Sequence, residues 1–123
     1  MKSENITQQK SYAFALRIVK LRQFLSKESA DPDISKQVLR SGTSIGANVE
    51  EAMGAQSRKD FKHKLAIAYK EARETHYWLR LLKDADFIEV SSAESVLHDC
   101  EELLKLIGST LVTLKKSENT DSV

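Results

Sequence analysis

Proline and glycine are scarce in this sequence: one proline and four glycines stand among 123 residues. Sheet proteins draw on both for their many turns, so the shortage points to helices. Cysteine occurs once, at Cys100, which excludes an intrachain disulfide and fits a reducing interior. No apolar run approaches the roughly 20 residues that cross a bilayer. The segment Met1–Lys10 is polar and has no apolar core like that of a secretory leader. The expectation is therefore a soluble cytoplasmic protein with no membrane partner. An excess of one charge is also missing. The net charge is +1, which gives the whole molecule no pull toward polyanions. What is present is ordinary globular material, 41% hydrophobic and 30% charged. The length suits one domain with one core, spanning 1–123 with polar tails at about 1–5 and 117–123.

The charge is unevenly spread. Residues 10–40 hold seven Lys/Arg against three acids, and residues 58–83 hold eight against three. Residues 84–102 hold seven acids and no Lys/Arg. Complementary helices with solvated faces would produce this pattern, and so would a basic surface for a polyanion.

Apolar spacing divides the chain into four helices. The first is expected from about Ile6 to Glu28, with Phe14, Ile18, Leu21 and Leu25 as its seam. Tyr12, Ala15, Leu16 and Val19 widen its apolar surface. Asp31-Pro32 reads as cap and first position of a second helix, Pro32 to about Met53. Its seam is Ile34, Val38, Ser41, Ile45, Asn48 and Ala52, and Gly54 would end it in a left-handed turn. Ser57 would cap the third helix, with Asp60 in the first turn. There Phe61, Leu65, Ala68, Ala72, Thr75, Leu79 and Leu82 alternate in steps of four and three, the seam of a bundle. Asp84–Val90 is the next turn, and Ser91 with Glu94 would form a capping box. The fourth helix carries Ala93, Leu97, Cys100, Leu104, Ile107, Leu111 and Leu114, and frays from Lys115. Long helices and short connections favour an all-α, antiparallel up-down-up-down four-helix bundle.

Second rows accompany these seams: Ala66, Tyr69, Arg73, Tyr77 and Arg80 on the third helix, and Leu103, Leu106 and Thr110 on the fourth. A monomer needs one core, so the surplus suggests a homo-oligomer. Tyr69, Arg73, Tyr77 and Trp78 are of types enriched at such interfaces. The same residues would also serve to close the monomer's own core.

Chemistry is harder to find. Gly42 and Gly46 lie inside a helix, where each costs roughly 1 kcal/mol relative to alanine. Hydroxyls and exposed amides around them (Ser41, Thr43, Ser44, Asn48) could hold an anion. Phosphate loops, however, put their glycines ahead of a helix and a lysine after them, and neither holds here. Close helix packing is the better reading, with Ser41 and Asn48 bonding across the seam. A di-metal bundle needs Glu-x-x-His pairs. His63, His76 and His98 all lack the Glu three residues before, so no metal or cofactor is expected. Glu71 and Glu74 are expected in ion pairs with Lys70, Arg73 or a basic helix. Cys100 sits on an apolar seam with no histidine on its face, so no catalytic residues are expected. The basic run Arg58, Lys59, Lys62 and Lys64 suits phosphates, with Tyr69 and Tyr77 able to stack bases. Solvation, helped by an Asp60–Lys64 pair, would also account for it.

Leu39-Arg40-Ser41-Gly42-Thr43-Ser44-Ile45-Gly46-Ala47-Asn48-Val49-Glu50-Glu51-Ala52 resembles the signature helix of the four helix bundle proteins called 23S rRNA-intervening sequence proteins. The likeness continues through Phe61, Leu65, Ile67 and Ala68 and through Glu71, Glu74, Thr75, Trp78 and Leu79. The resemblance implies a bacterial, ring-forming bundle, typically a homopentamer, without established catalytic residues. It is similar also to the accessory protein of diversity-generating retroelements, which forms a basic pentameric barrel that binds a reverse transcriptase and nucleic acid. The combined expectation is a non-enzymatic oligomer that associates with RNA or an RNA-handling protein. Ser41, Gly42, Ser44, Gly46, Asn48 and Glu51 would pack the bundle. Arg17, Lys20, Arg22, Arg58, Lys59, Lys62 and Lys64 would face phosphates. A protein-only scaffold and, further off, a metal-dependent enzyme are the alternatives.

Overall fold

The computed structural model describes the backbone of residues 2–28 and 32–121, and the side chains of residues 6–28 and 32–118. Four helices make up the fold: α1 (Lys2–Lys27), α2 (Pro32–Met53), α3 (Arg58–Asp84) and α4 (Val90–Asp121). No strand occurs among the described residues. The helices form a four-helix bundle in which α1 lies against α2 and α4, and α3 against α2 and α4.

The apolar seams meet in the middle. Phe14, Ile18 and Leu25 of α1, Val38, Ile45 and Val49 of α2, Leu65, Leu79 and Leu82 of α3, and Leu97, Leu103 and Ile107 of α4 are all buried. Each such side chain contributes about 1.5–3 kcal/mol on leaving water. Two seams differ from expectation. On α2, Asn48 is only half-buried and Val49 takes the core position, because the buried face swings toward α1 to include Gly42 and Gly46. On α4, Leu103 belongs to the core instead of a surplus row.

The helix ends follow local chemistry. Ser57 caps α3: its Oγ accepts from the Asp60 amide at 3.0 Å. Pro32 opens α2 and Asp60 sits in the first turn of α3 as expected, whereas the signals at Gly54 and Ser91 fail. Gly54 does not adopt a left-handed conformation, since no described glycine has a positive φ. Instead α2 runs out in a tightened turn, the Ala55 amide donating to the Ala52 carbonyl at 3.1 Å. The left-handed residue is Asp86, with φ of 65°. There the Phe87 amide reaches back to the Leu82 carbonyl (2.9 Å) and the Asp86 amide to that of Lys83 (3.1 Å). This is a Schellman closure with Asp in the place glycine usually holds. Asp is among the few residues that tolerate it. Ser91 forms no capping box, because α4 already begins at Val90; its hydroxyl donates to Glu89 at 3.3 Å. α1 begins at Lys2, ahead of Ile6, and α4 continues to Asp121, well past Lys115. The expected cap at Asp31 lies outside the described residues.

Candidate functional site

The segment that stood out in the sequence is continuous helix. Gly42 and Gly46 are buried and face α1. A Cβ on Gly42 would come within 2.8 and 2.9 Å of the Ile18 side chain. One on Gly46 would meet the Ser11 backbone carbonyl oxygen at 3.3 Å. The missing side chains therefore let two helix backbones approach closely, which compensates for the poor helix propensity of glycine. The polar residues nearby serve the fold. Thr75 donates from α3 to the Ser41 hydroxyl at 2.9 Å, inside the core. Asn48 does not bond across the seam as expected; its amide donates to the Ser44 carbonyl of its own helix at 2.9 Å. Thr43 and Ser44 donate to the carbonyls of Leu39 and Arg40, at 2.7 and 2.6 Å. These hydroxyls are used up within the helix. Glu51 is exposed and pairs with Lys64 across to α3 at 2.8 Å.

The seven expected phosphate-facing cations do not converge. Arg17 pairs with Asp99 at 2.7 Å, and Lys62 with Glu118 at 2.7 Å. Those two acids lie 19 residues apart on α4, about 28 Å along a helix. Lys64 is held by Glu51, which raises its pKa through a hydrogen bond and charge attraction, and the expected Asp60 pair is secondary. Arg22 is half-buried, and its Nε is buried without a hydrogen-bond partner. Of the set, Lys20, Arg58 and Lys59 are exposed, and the other four are half-buried. Glu71 and Glu74 pair with Arg40 of α2, neither with Lys70 nor with Arg73.

The aromatic residues divide. Tyr69 and Trp78 pack against the core, Trp78 donating from Nε1 to Glu74 at 3.2 Å. Tyr69 lies over Gly108 of α4, where a Cβ would sit 3.1 Å from its ring. Tyr69, Leu104, Lys105, Gly108, Leu111 and Val112 line an open, mostly apolar groove of about 520 Å³. Tyr77 is 48% exposed, with its ring edge-on to Trp78 (centroids 5.2 Å apart) and the Arg80 guanidinium 5.8 Å from its centre. Arg73 is exposed. Another apolar row stands on α1: Tyr12, Leu16 and Val19 are 64%, 48% and 38% exposed. Beside it a hollow of about 210 Å³ lies between Ser11, Tyr12 and Ala15 of α1 and Thr43, Ala47 and Glu50 of α2. The sequence had shown this row as extra width on α1. Spacing alone could not assign it to the core or to the surface.

Candidate reactive groups are few. Cys100 is buried and its thiol donates to the Ala72 carbonyl at 3.3 Å. Burial pushes its pKa up to about 12, which keeps it an unreactive thiol. His76 meets Glu101 at 3.0 Å between α3 and α4, and that contact lowers the Glu101 pKa. Among the described residues no three His, Cys, Asp or Glu side chains come together in a way that would hold a metal. None of the described helices is long and apolar enough to cross a membrane.

Comparison with known proteins agrees with this architecture. Residues 3–109 match the family described as 23S rRNA-intervening sequence protein. A crystal structure of a protein of unknown function from the S23 ribosomal protein family of Bacteroides thetaiotaomicron superposes with a TM-score of 0.86. It is 50% identical, and the match covers 89% of this chain and 97% of that one. No curated protein matches the chain.

Proposed function

The chain belongs to the 23S rRNA-intervening sequence protein family, and from that premise we propose a non-enzymatic interaction module: a cytoplasmic homo-oligomer that associates with RNA or an RNA-handling protein. The reading takes residues 1–123 as one antiparallel, up-down-up-down domain. In support, successive residues of α1 meet receding residues of its neighbours: Gln8 with Glu50 and Ile18 with Gly42, then Lys10 with Glu102 and Arg17 with Asp99.

The observation that carries self-association is the α1 row. Tyr12, Leu16 and Val19 lie in water on a helix otherwise held tightly in place, beside a hollow that would take a side chain. That row is better suited to the contact than Tyr69 and Trp78, which pack on their own core. A patch on one face that docks on a different face of the next copy closes into a ring when the rotation permits. The family resemblance suggests five subunits. Leu16→Glu tests this. Light scattering should show the oligomer mass falling to that of a single chain, with helicity by circular dichroism retained. An unchanged mass would refute the α1 contact.

The RNA association rests on the family and on exposed Lys20, Arg58 and Lys59. A 260/280 nm absorbance ratio raised by co-purifying nucleic acid, and lowered by nuclease, is the expected result. The apolar groove over Gly108 favours a second reading, a scaffold for protein partners alone. A partner protein retained after nuclease treatment, with no nucleic acid bound at low salt, would support it.

A further inference from the structure

The two acids in the middle of α3 share one side of the helix. Glu71 and Glu74 turn toward α2, where Arg40 engages both, and Glu74 also accepts from Trp78. The outward side, away from the buried seam, carries Lys59, His63, Lys70, Arg73, Tyr77 and Arg80, all exposed. With Ala66, they follow one alternation of four- and three-residue steps, so they form a single row. It runs from residue 59 to residue 80, about 32 Å of helix. No acid lies within it, and Asp84, the next step of the same alternation after Arg80, closes it. None of its Lys or Arg side chains is engaged in an ion pair among the described residues, unlike Lys62 and Lys64 beside it. Lys105 of α4 adds a further cation at the rim of the adjoining groove.

We propose that this outward face of α3 is a binding surface for single-stranded nucleic acid. It deepens the RNA reading above and moves it away from the dispersed cations expected from the sequence. A row of cations without counter-charge matches the evenly repeated negative charge of a phosphate backbone. Tyr77 adds what charge alone lacks. Its ring is nearly half exposed, steadied by Trp78, and has Arg73 four residues before and Arg80 three after. An exposed aromatic flanked by cations stacks an unpaired base, which a duplex does not offer.

The test uses the intact chain and a fluorescein-labelled oligouridylate, with binding read by anisotropy across a salt series. The wild type should bind, with log K falling by about 0.7 per phosphate contacted for each unit of log salt. Arg73→Ala and Arg80→Ala should each flatten that slope by about 0.7. Tyr77→Leu should weaken binding about 5- to 150-fold at unchanged slope, as loss of one stacked base would. Lys27→Ala and Lys36→Ala, exposed cations outside both sets, should leave affinity unchanged. Lys20→Ala and Arg58→Ala should weaken binding less than Arg73→Ala, and thermal melts of all seven variants should match the wild type. If the wild type binds but only the Lys20 or Arg58 variant weakens it, the RNA reading stands and the α3 surface is overturned. If a duplex of the same length binds as well as the single strand, base stacking is overturned. If oligouridylate does not bind at low salt, or anionic phosphatidylserine vesicles bind in its place, both readings fall.

Discussion

The α1–α2 and α3–α4 contacts both contain glycine, and they use it in opposite ways. At the first, Gly42 and Gly46 admit another helix: the neighbours are a fully buried, β-branched Ile18 and the Ser11 backbone. Neither can move without moving α1. At the second, Gly108 admits a side chain, Tyr69, whose ring packs on the core and borders an open groove into which it has room to shift. Polar contacts finish that seam, with the Cys100 thiol on a carbonyl and His76 on Glu101. One seam is defined by backbone and the other by adjustable side chains. The difference bears on function. The rigid seam fixes the angle at which α1 presents its apolar row. The adjustable one lies beside the groove and the outward face of α3.

The largest blow to this contrast is Gly46→Leu. A branched side chain aimed at the Ser11 carbonyl should destabilise the protein by about 3 kcal/mol or more, read from urea unfolding. A loss below 1 kcal/mol would mean the helices can part.

Cys100 probes the other seam. With its pKa held near 12, the folded thiol should react with iodoacetamide at about a thousandth of the rate of the urea-unfolded chain. The sign of the pH effect follows. The thiol's ordinary pKa of 9.0 is raised in the fold, so its contribution is complete below pH 9 and declines as pH rises toward 12. Cys100→Ala should remove that alkaline loss. Equal alkaline sensitivity in both proteins would show the thiol is not held neutral by burial.

Asp86→Gly is the smallest change. It relieves the left-handed conformation at the end of α3 and should stabilise by about 0.5 kcal/mol in the same unfolding assay. A destabilisation would show that the Asp86 side chain contributes to the turn.

Much of this was readable in advance. The four helices, the core of α3 and the Ser57 cap follow from spacing and from a hydroxyl placed ahead of an amphipathic run. The close-packed glycines were readable because glycine inside a strong helical pattern has few other reasons to be there. The failures share a cause. Gly54 and Ser91 are favourable residues near helix ends, yet capping depends on where the chain turns, and that is set by packing. Arg40 holding Glu71 and Glu74 joins residues more than 30 positions apart, beyond any local pattern. The surface cations were grouped by sequence density, whereas exposure and pairing sort them by helix face. That is why grouping by density takes in Arg17 and Lys62, which are ion-paired, and passes over Lys70 and Arg80, which are exposed.

One paired measurement tests the central contrast most directly: thermal unfolding of Gly42→Ala beside Gly108→Ala. Both gain about 1 kcal/mol of helix propensity. At Gly42 the new methyl meets Ile18 at 2.8 Å, and the overpacking should lower the melting temperature by about 3–8 °C. At Gly108 Tyr69 swings into the groove, and the melting temperature should rise by about 1–4 °C. Shifts of the same sign at both positions would contradict the account.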